Sequence, residues 1–336
     1  MKKKQLLSIA LLAVFVLPLG AYFIKSCDKN TPQSQSSQAD LLPAPAFNAD
    51  SAFSQVAQQV AFGPRIPNSK AHEACGDWLG QQLKKYGCLV TDQRFETKAY
   101  DGTKIKARNI IGSINPNASK RILLAAHWDT RPFADKDTAQ FKDVKFDGAN
   151  DGGSGVGVLL EIARTIQASG QKPSVGIDII FFDAEDWGEK HDAPATSPTE
   201  NYWCLGSQYW AKNLHKPGYT ATYGILLDMV GAKGAVFPKE GTSMMYASGV
   251  VDAVWGIAQK IGYGSMFSYV QGGGLTDDHT AVNEIAKIPM IDIVEMNPQS
   301  GDFGAYHHTH NDNMGVIDPK TLKAVGQVVL QVLYQE

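Results

Sequence analysis

The chain has 336 residues, a formal net charge of −3 and an ordinary apolar content of 43 %. That length suits one large α/β domain or two small ones, and the near-neutral balance leaves no basic footprint for a nucleic acid. Glycine is abundant, with 32 residues, and much of it lies in turns beside acids and histidines.

Lys2, Lys3 and Lys4 precede an apolar run over residues 6–24, broken only by Ser8, Pro18 and Gly20. Such a segment is a secretory signal or a single membrane anchor, not part of a fold. Ser26-Cys27 resembles the end of a bacterial lipoprotein signal, although Lys25 stands where a small uncharged residue is usual. Lipoprotein, uncleaved anchor and simple secretion all export the remainder to the periplasm or cell envelope, and the first two tether it to a membrane. Residues 28–46 are polar, then Pro/Ala-rich, and read as a flexible linker. The expected division is therefore 1–27 signal or anchor, 28–46 linker, and 47–336 a single domain. Beyond Cys27 the cysteines are Cys75, Cys88 and Cys204, with no C-x-x-C. One disulfide plus one free thiol suits an oxidising compartment, with the pairing open.

Apolar spacing predicts helices over residues 47–62, 69–86, 156–166, 205–213, 251–261 and 319–334. Ser69 is the expected N-cap of the second. Residues 88–95 and 104–114 read as half-buried strands. Residues 121–126, 175–182, 223–227 and 288–294 are short continuous apolar runs, which suit strands buried on both faces. The alternation predicts a three-layer α/β sandwich, with a mixed, largely parallel central sheet and helices on both faces. In such sheets ligands bind beyond the carboxyl ends of the strands. Those ends carry His127-Trp128-Asp129, Asp183-Ala184-Glu185-Asp186, Asp228 and Glu295.

Asp151 stands in a glycine-rich turn, Gly148-Ala149-Asn150-Asp151-Gly152-Gly153, just before an apolar helix. It is either an ordinary helix N-cap or a carboxylate poised for a ligand. With His127, Asp186, Asp228 and His308 it makes a set of nitrogen and carboxylate ligands of the kind zinc takes. Glu185 precedes Asp186, so one carboxylate can bind metal while its neighbour stays free for proton transfer. The loop over residues 189–201 is polar and Pro-containing, either a rim over the cleft or a passive insertion.

These stretches, with Leu227-Asp228-Met229-Val230-Gly231 and His308-Thr309 followed by Asp312, resemble the zinc aminopeptidase superfamily. Within it, Thr276-Asp277-Asp278-His279 and the segment Trp128-Asp129-Thr130-Arg131-Pro132-Phe133 resemble the glutaminyl cyclases of the animal type found in bacteria. The resemblance spans residue 47 to the C-terminus. It implies one zinc per chain held by Asp151, Asp186 and His308, and Glu185 as general base and acid, with Asp228 and Asp277 in its hydrogen-bond network. Phe303 matches an aromatic of the family's substrate pocket. His307 stands where animal cyclases carry Trp, and both Trp187 and Trp203 are candidates for the second pocket Trp. The implied activity converts N-terminal glutamine of peptides and proteins to pyroglutamate, with zinc as Lewis acid. Two rivals remain. One is a two-zinc aminopeptidase, with His127 and Asp228 completing a second metal site. The other is a non-catalytic peptide receptor on the same scaffold.

Overall fold

The computed structural model describes residues 41–193 and 200–336. The signal or anchor segment, the linker up to residue 40 and the middle of the 189–201 loop lie outside the described residues. Strand burial dictates the layers. In β3 (Arg121–His127) every residue is buried, and side chains alternate between faces as a pleated strand requires. Ile122, Leu124 and Ala126 join one apolar cluster, whereas Leu123 and Ala125 join another. In β4 (Gly176–Phe182), Ile177, Ile179 and Phe181 turn to the first cluster, and Ile180 and Phe182 to the second. The first cluster is completed by α1 (Ala49–Ala61), α2 (Lys70–Lys85), α3 (Ser154–Ala168) and α7 (Pro319–Gln335). The second is closed by Trp210 and Ala211 of α4 (Leu205–Lys212) and Val282 of a π-helical turn, Val282–Ala286.

The six-stranded sheet has the order β1-β2-β4-β3-β5-β8, with β1 Leu89–Lys98, β2 Lys104–Ile114, β5 Tyr223–Asp228 and β8 Met290–Val294. β1, β2 and β4 pair antiparallel, while β4, β3, β5 and β8 run parallel. This is the expected mixed, largely parallel sheet between helical layers. Among the described residues no helix is long and apolar enough to cross a membrane.

Several boundaries differ from the sequence expectation. α5 (Gly241–Lys260) begins ten residues before 251. A break at Ala247 (φ −147°, ψ 41°) interrupts its first half, and Glu240 caps it by accepting from Thr242 N and Ser243 N. The two-stranded sheet of β6 (Phe237–Lys239) and β7 (Phe267–Gln271) was not anticipated, and neither was α6 (Asp278–Ala281); all three are too short to show a period. Residues 42–45, expected as the end of a flexible linker, are instead ordered against the domain. Gln331 Nε2 donates to Leu42 O (2.6 Å) and Gln327 Nε2 to Pro45 O (3.1 Å), so residues 42–45 are pinned along α7. Cys75, Cys88 and Cys204 are buried and free, so the expected disulfide does not form.

The start of α3 packs directly on β5. A Cβ at Gly155 would stand 2.1 Å from Leu227 O, whereas one at Gly170 would meet open space. Gly155→Ala is therefore expected to destabilise the protein by about 2 kcal/mol in urea unfolding, while Gly170→Ala leaves the midpoint unchanged.

Candidate metal centre and active site

Because β3, β4, β5 and β8 are parallel, their carboxyl ends share one edge. His127 ends β3, Asp183 follows β4, Asp228 ends β5 and Glu295 follows β8. The β3–α3 loop brings Asp151 to this edge, and the segment after β8 brings Phe303, His307 and His308. Asp277, the N-cap of α6, joins them.

Two loops set the chemistry. In the first, Gly152 has φ +85° and lies so close to Asp129 O that a Cβ would come within 2.3 Å. The buried Arg65 donates to Gly148 O (2.7 Å), Trp128 O (3.3 Å) and Asp147 O. The Asp312 carboxylate accepts from Asn150 N (2.8 Å) and Asp151 N (3.0 Å). So held, Asp151 caps nothing: the N-cap of α3 is Gly153, and no side chain bonds there. In the second loop, Asp183 accepts from His72 Nε2 (2.9 Å), Arg108 N (2.7 Å) and Ala184 N (2.7 Å). Asp129 then accepts from Glu185 N (3.1 Å) and Asp186 N (3.2 Å). Asp183 and Asp129 are thus occupied by the turn, leaving Glu185 and Asp186 to face the pocket.

His308 Nε2 is 3.1 Å from Asp186 Oδ1 and 3.4 Å from Asp151 Oδ2. All three residues are buried, and Asp151 Oδ2 and Asp186 Oδ2 receive no hydrogen bond among the described residues. Open carboxylate lone pairs beside an imidazole, away from solvent, fit a divalent cation of zinc's ligand preference. Arg131 steadies the set, forking onto Asp135 (2.8 and 2.7 Å) and donating to Asp186 O (3.1 Å). His127 lies on the far side of Asp151, with Nε2 3.0 Å from Asp151 Oδ1 and 3.2 Å from Asp228 Oδ1. The two predicted ligand sets therefore meet at Asp151.

Glu185 is 13 % exposed at the pocket floor, with Oε2 3.8 Å from His127 Nδ1. Burial pushes its carboxyl well above the ordinary range; His127 opposes this, and Asp186, Asp277 and Asp278 add to it. Burial likewise raises Asp228 to about 7, against the hydrogen bond to His127. Asp228 and Asp277 line the same cavity of about 290 Å³. Its aromatic lining is Trp203, Phe303 and His307. The Trp203 ring lies parallel to His308 at 6.2 Å, and Phe303 meets His307 edge-on at 4.6 Å. Lys136 Nζ donates to His307 Nδ1 at 2.8 Å. Trp187 is the exception among the predicted pocket residues. It packs instead against the apolar cluster of Phe95, Ala99 and Ile105. Gly188 makes the exchange possible, since a Cβ there would overlap the Trp203 ring at 2.0 Å. Of the 189–201 loop, Glu189 and His191 line the cavity.

Sequence reasoning named Asp278 and His279 only within the Thr276–His279 segment and did not single out Asp292 and Glu240; together the four bury a second acidic group beside Asp277. The available signal was a carboxylate in the middle of the apolar strand Met290–Val294. Arg65 and Cys204 gave no signal of their own.

Asp312 holds the Asp151 turn through two backbone N–H groups, so its loss should be felt by a bound metal before the fold gives way. Asp312→Ala is expected to weaken zinc retention about 10- to 100-fold, measured by competition with a chromogenic chelator.

The profile of peptidase family M28 matches residues 109–333. Aminopeptidase YwaD of Bacillus subtilis is 29 % identical over 286 residues, covering 81 % of this chain and 54 % of its own. The chain thus spans about half the length of that curated relative. Among solved structures, a Zn-dependent exopeptidase from Parabacteroides distasonis is 54 % identical with a TM-score of 0.84, covering 88 % of this chain and 100 % of its own. The glutaminyl cyclase of Bacteroides thetaiotaomicron, solved with N-acetylhistamine, is 52 % identical with a TM-score of 0.84, again over 88 % and 100 %. With the family profile matched across well over half its length, the chain belongs to peptidase family M28.

Proposed function

We propose that the chain is a glutaminyl-peptide cyclotransferase, converting N-terminal glutamine of peptides and proteins to pyroglutamate with release of ammonia. The observation that carries this is the 52 % identity with the Bacteroides cyclase over that protein's whole length. The cavity agrees with it: a small aromatic-walled space in which the Glu185 carboxylate stands beside the ligand set rather than within it.

One zinc per chain, held by Asp151, Asp186 and His308, would act as a Lewis acid on the γ-carboxamide carbonyl. Glu185 takes a proton from the substrate's α-amine, which then attacks the γ-carbon and closes a five-membered ring. Glu185 returns that proton to the departing nitrogen, which leaves as ammonia. A buried carboxyl with raised proton affinity suits both transfers. Asp228 and Asp277 line the cavity with it and would complete the hydrogen-bond network that the resemblance implies. Trp203, Phe303 and His307 enclose the uncharged amide and keep water out. The nucleophile is already tethered to its electrophile, so orientation does most of the work.

A second function is favoured by one observation, the proximity of His127 Nε2 to Asp151 and Asp228. Those three could complete a paired-metal aminopeptidase site. For location, we propose export with a membrane tether; the support is Lys2 to Lys4, the apolar run after them and Cys27.

Incubated with zinc-loaded protein, a Gln-initiated peptide is expected to lose one ammonia by mass spectrometry, and a chelator should abolish the loss. Release of the whole first residue would instead make the chain an aminopeptidase. Glu185→Gln is expected to lower kcat about 100-fold or more with zinc content unchanged; near-normal turnover would remove Glu185 from its role.

A further inference from the structure

Cys204 stands directly behind the Glu185 carboxylate, with Sγ 3.4 Å from Oε1. The backbone fixes this approach. Cys204 N donates to Glu185 O (2.9 Å) and Leu205 N to Ala184 O (3.0 Å), so the two segments are tied in register. Gly206 brings the first turn of α4 so close that a Cβ would lie 2.2 Å from Asp183 O. Cys204 itself is left-handed, at φ +56°, and almost wholly buried. Cys204 also lines a second, smaller cleft. That cleft, of about 170 Å³, is lined by Cys204, Gln208, Thr276, Asp277 and Thr280 among others. Glu185, Thr276 and Asp277 line the main cavity.

We propose that Cys204 is a positioning residue for Glu185: its S–H donates to Oε1 and holds the carboxyl toward the pocket. This rests on Glu185 being the proton carrier. Burial drives the Cys204 thiol well above the ordinary thiol range, with Glu185, Asp278 and Asp277 adding to the effect. The sulfur therefore stays protonated, a donor rather than a nucleophile.

Two measurements on the zinc-loaded full chain test this. Cys204→Ala is expected to lower kcat about tenfold with KM unchanged, and Cys204→Ser, which keeps a donor, to recover most of the loss. The infrared S–H stretch of Cys204, assigned by its disappearance in Cys204→Ser, is expected at lower frequency than those of Cys75 and Cys88, and to rise in Glu185→Ala. The infrared arm needs no turnover, so it separates failure of this role from failure of the cyclase assignment. A band that does not move in Glu185→Ala, a wild-type kcat in Cys204→Ala, or equal losses in the Ala and Ser variants would each overturn the proposal.

Discussion

Burying many carboxylates at one sheet edge is the constraint on which the rest of this structure depends. An unpaired buried charge is costly, so each acid needs donors, a cation or a proton. Asp183 has His72 and two backbone N–H groups. Asp129 has the N–H groups of Glu185 and Asp186, and Asp312 those of Asn150 and Asp151. Asp135 has the fork of Arg131. Once these are satisfied, Asp151 and Asp186 still present open oxygens beside His308, and Glu185 is left with a thiol and a distant imidazole. Structural acids and chemical acids are thus sorted by whether the fold supplies a donor.

The backbone, not side-chain packing, does most of this sorting, and that explains how one scaffold can serve two chemistries. His127 and Asp228 converge because the parallel neighbours β3 and β5 end together, and the β3–α3 loop brings Asp151 to them. The features facing a substrate, Trp203, Phe303 and His307, come from the loops after β4 and β8. Exchanging rim residues changes what enters the cavity without disturbing the hydrogen bonds that aim the acids.

The sheet and its functional edge were legible because both leave a local mark: continuous apolar runs, each followed by acids. What could not be read was partnership. Asp178 and Asp292 each interrupt an apolar strand in the same way. Asp178 is met by Arg121, Ser113 and Tyr219, whereas Asp292 has no side-chain donor among the described residues. Trp187 and Trp203 were equivalent in sequence, and only the approach of Gly188 to the Trp203 ring separates them. The break at Ala247 hid the first half of α5 by disrupting its period. The cysteine expectation followed from the inferred compartment, while the fold leaves each thiol buried and free.

Ala184, Cys204, Met229 and His308 are all non-glycine residues in the left-handed region, at φ +53°, +56°, +47° and +56°. Each adjoins a site acid or is itself a site residue, and each such conformation costs on the order of 1–3 kcal/mol. The surrounding hydrogen bonds must hold that strain in the resting enzyme. Heat tolerance and the aim of the site acids are therefore set against each other at these four positions: a chain relaxed there would be easier to fold but would point its carboxylates less well.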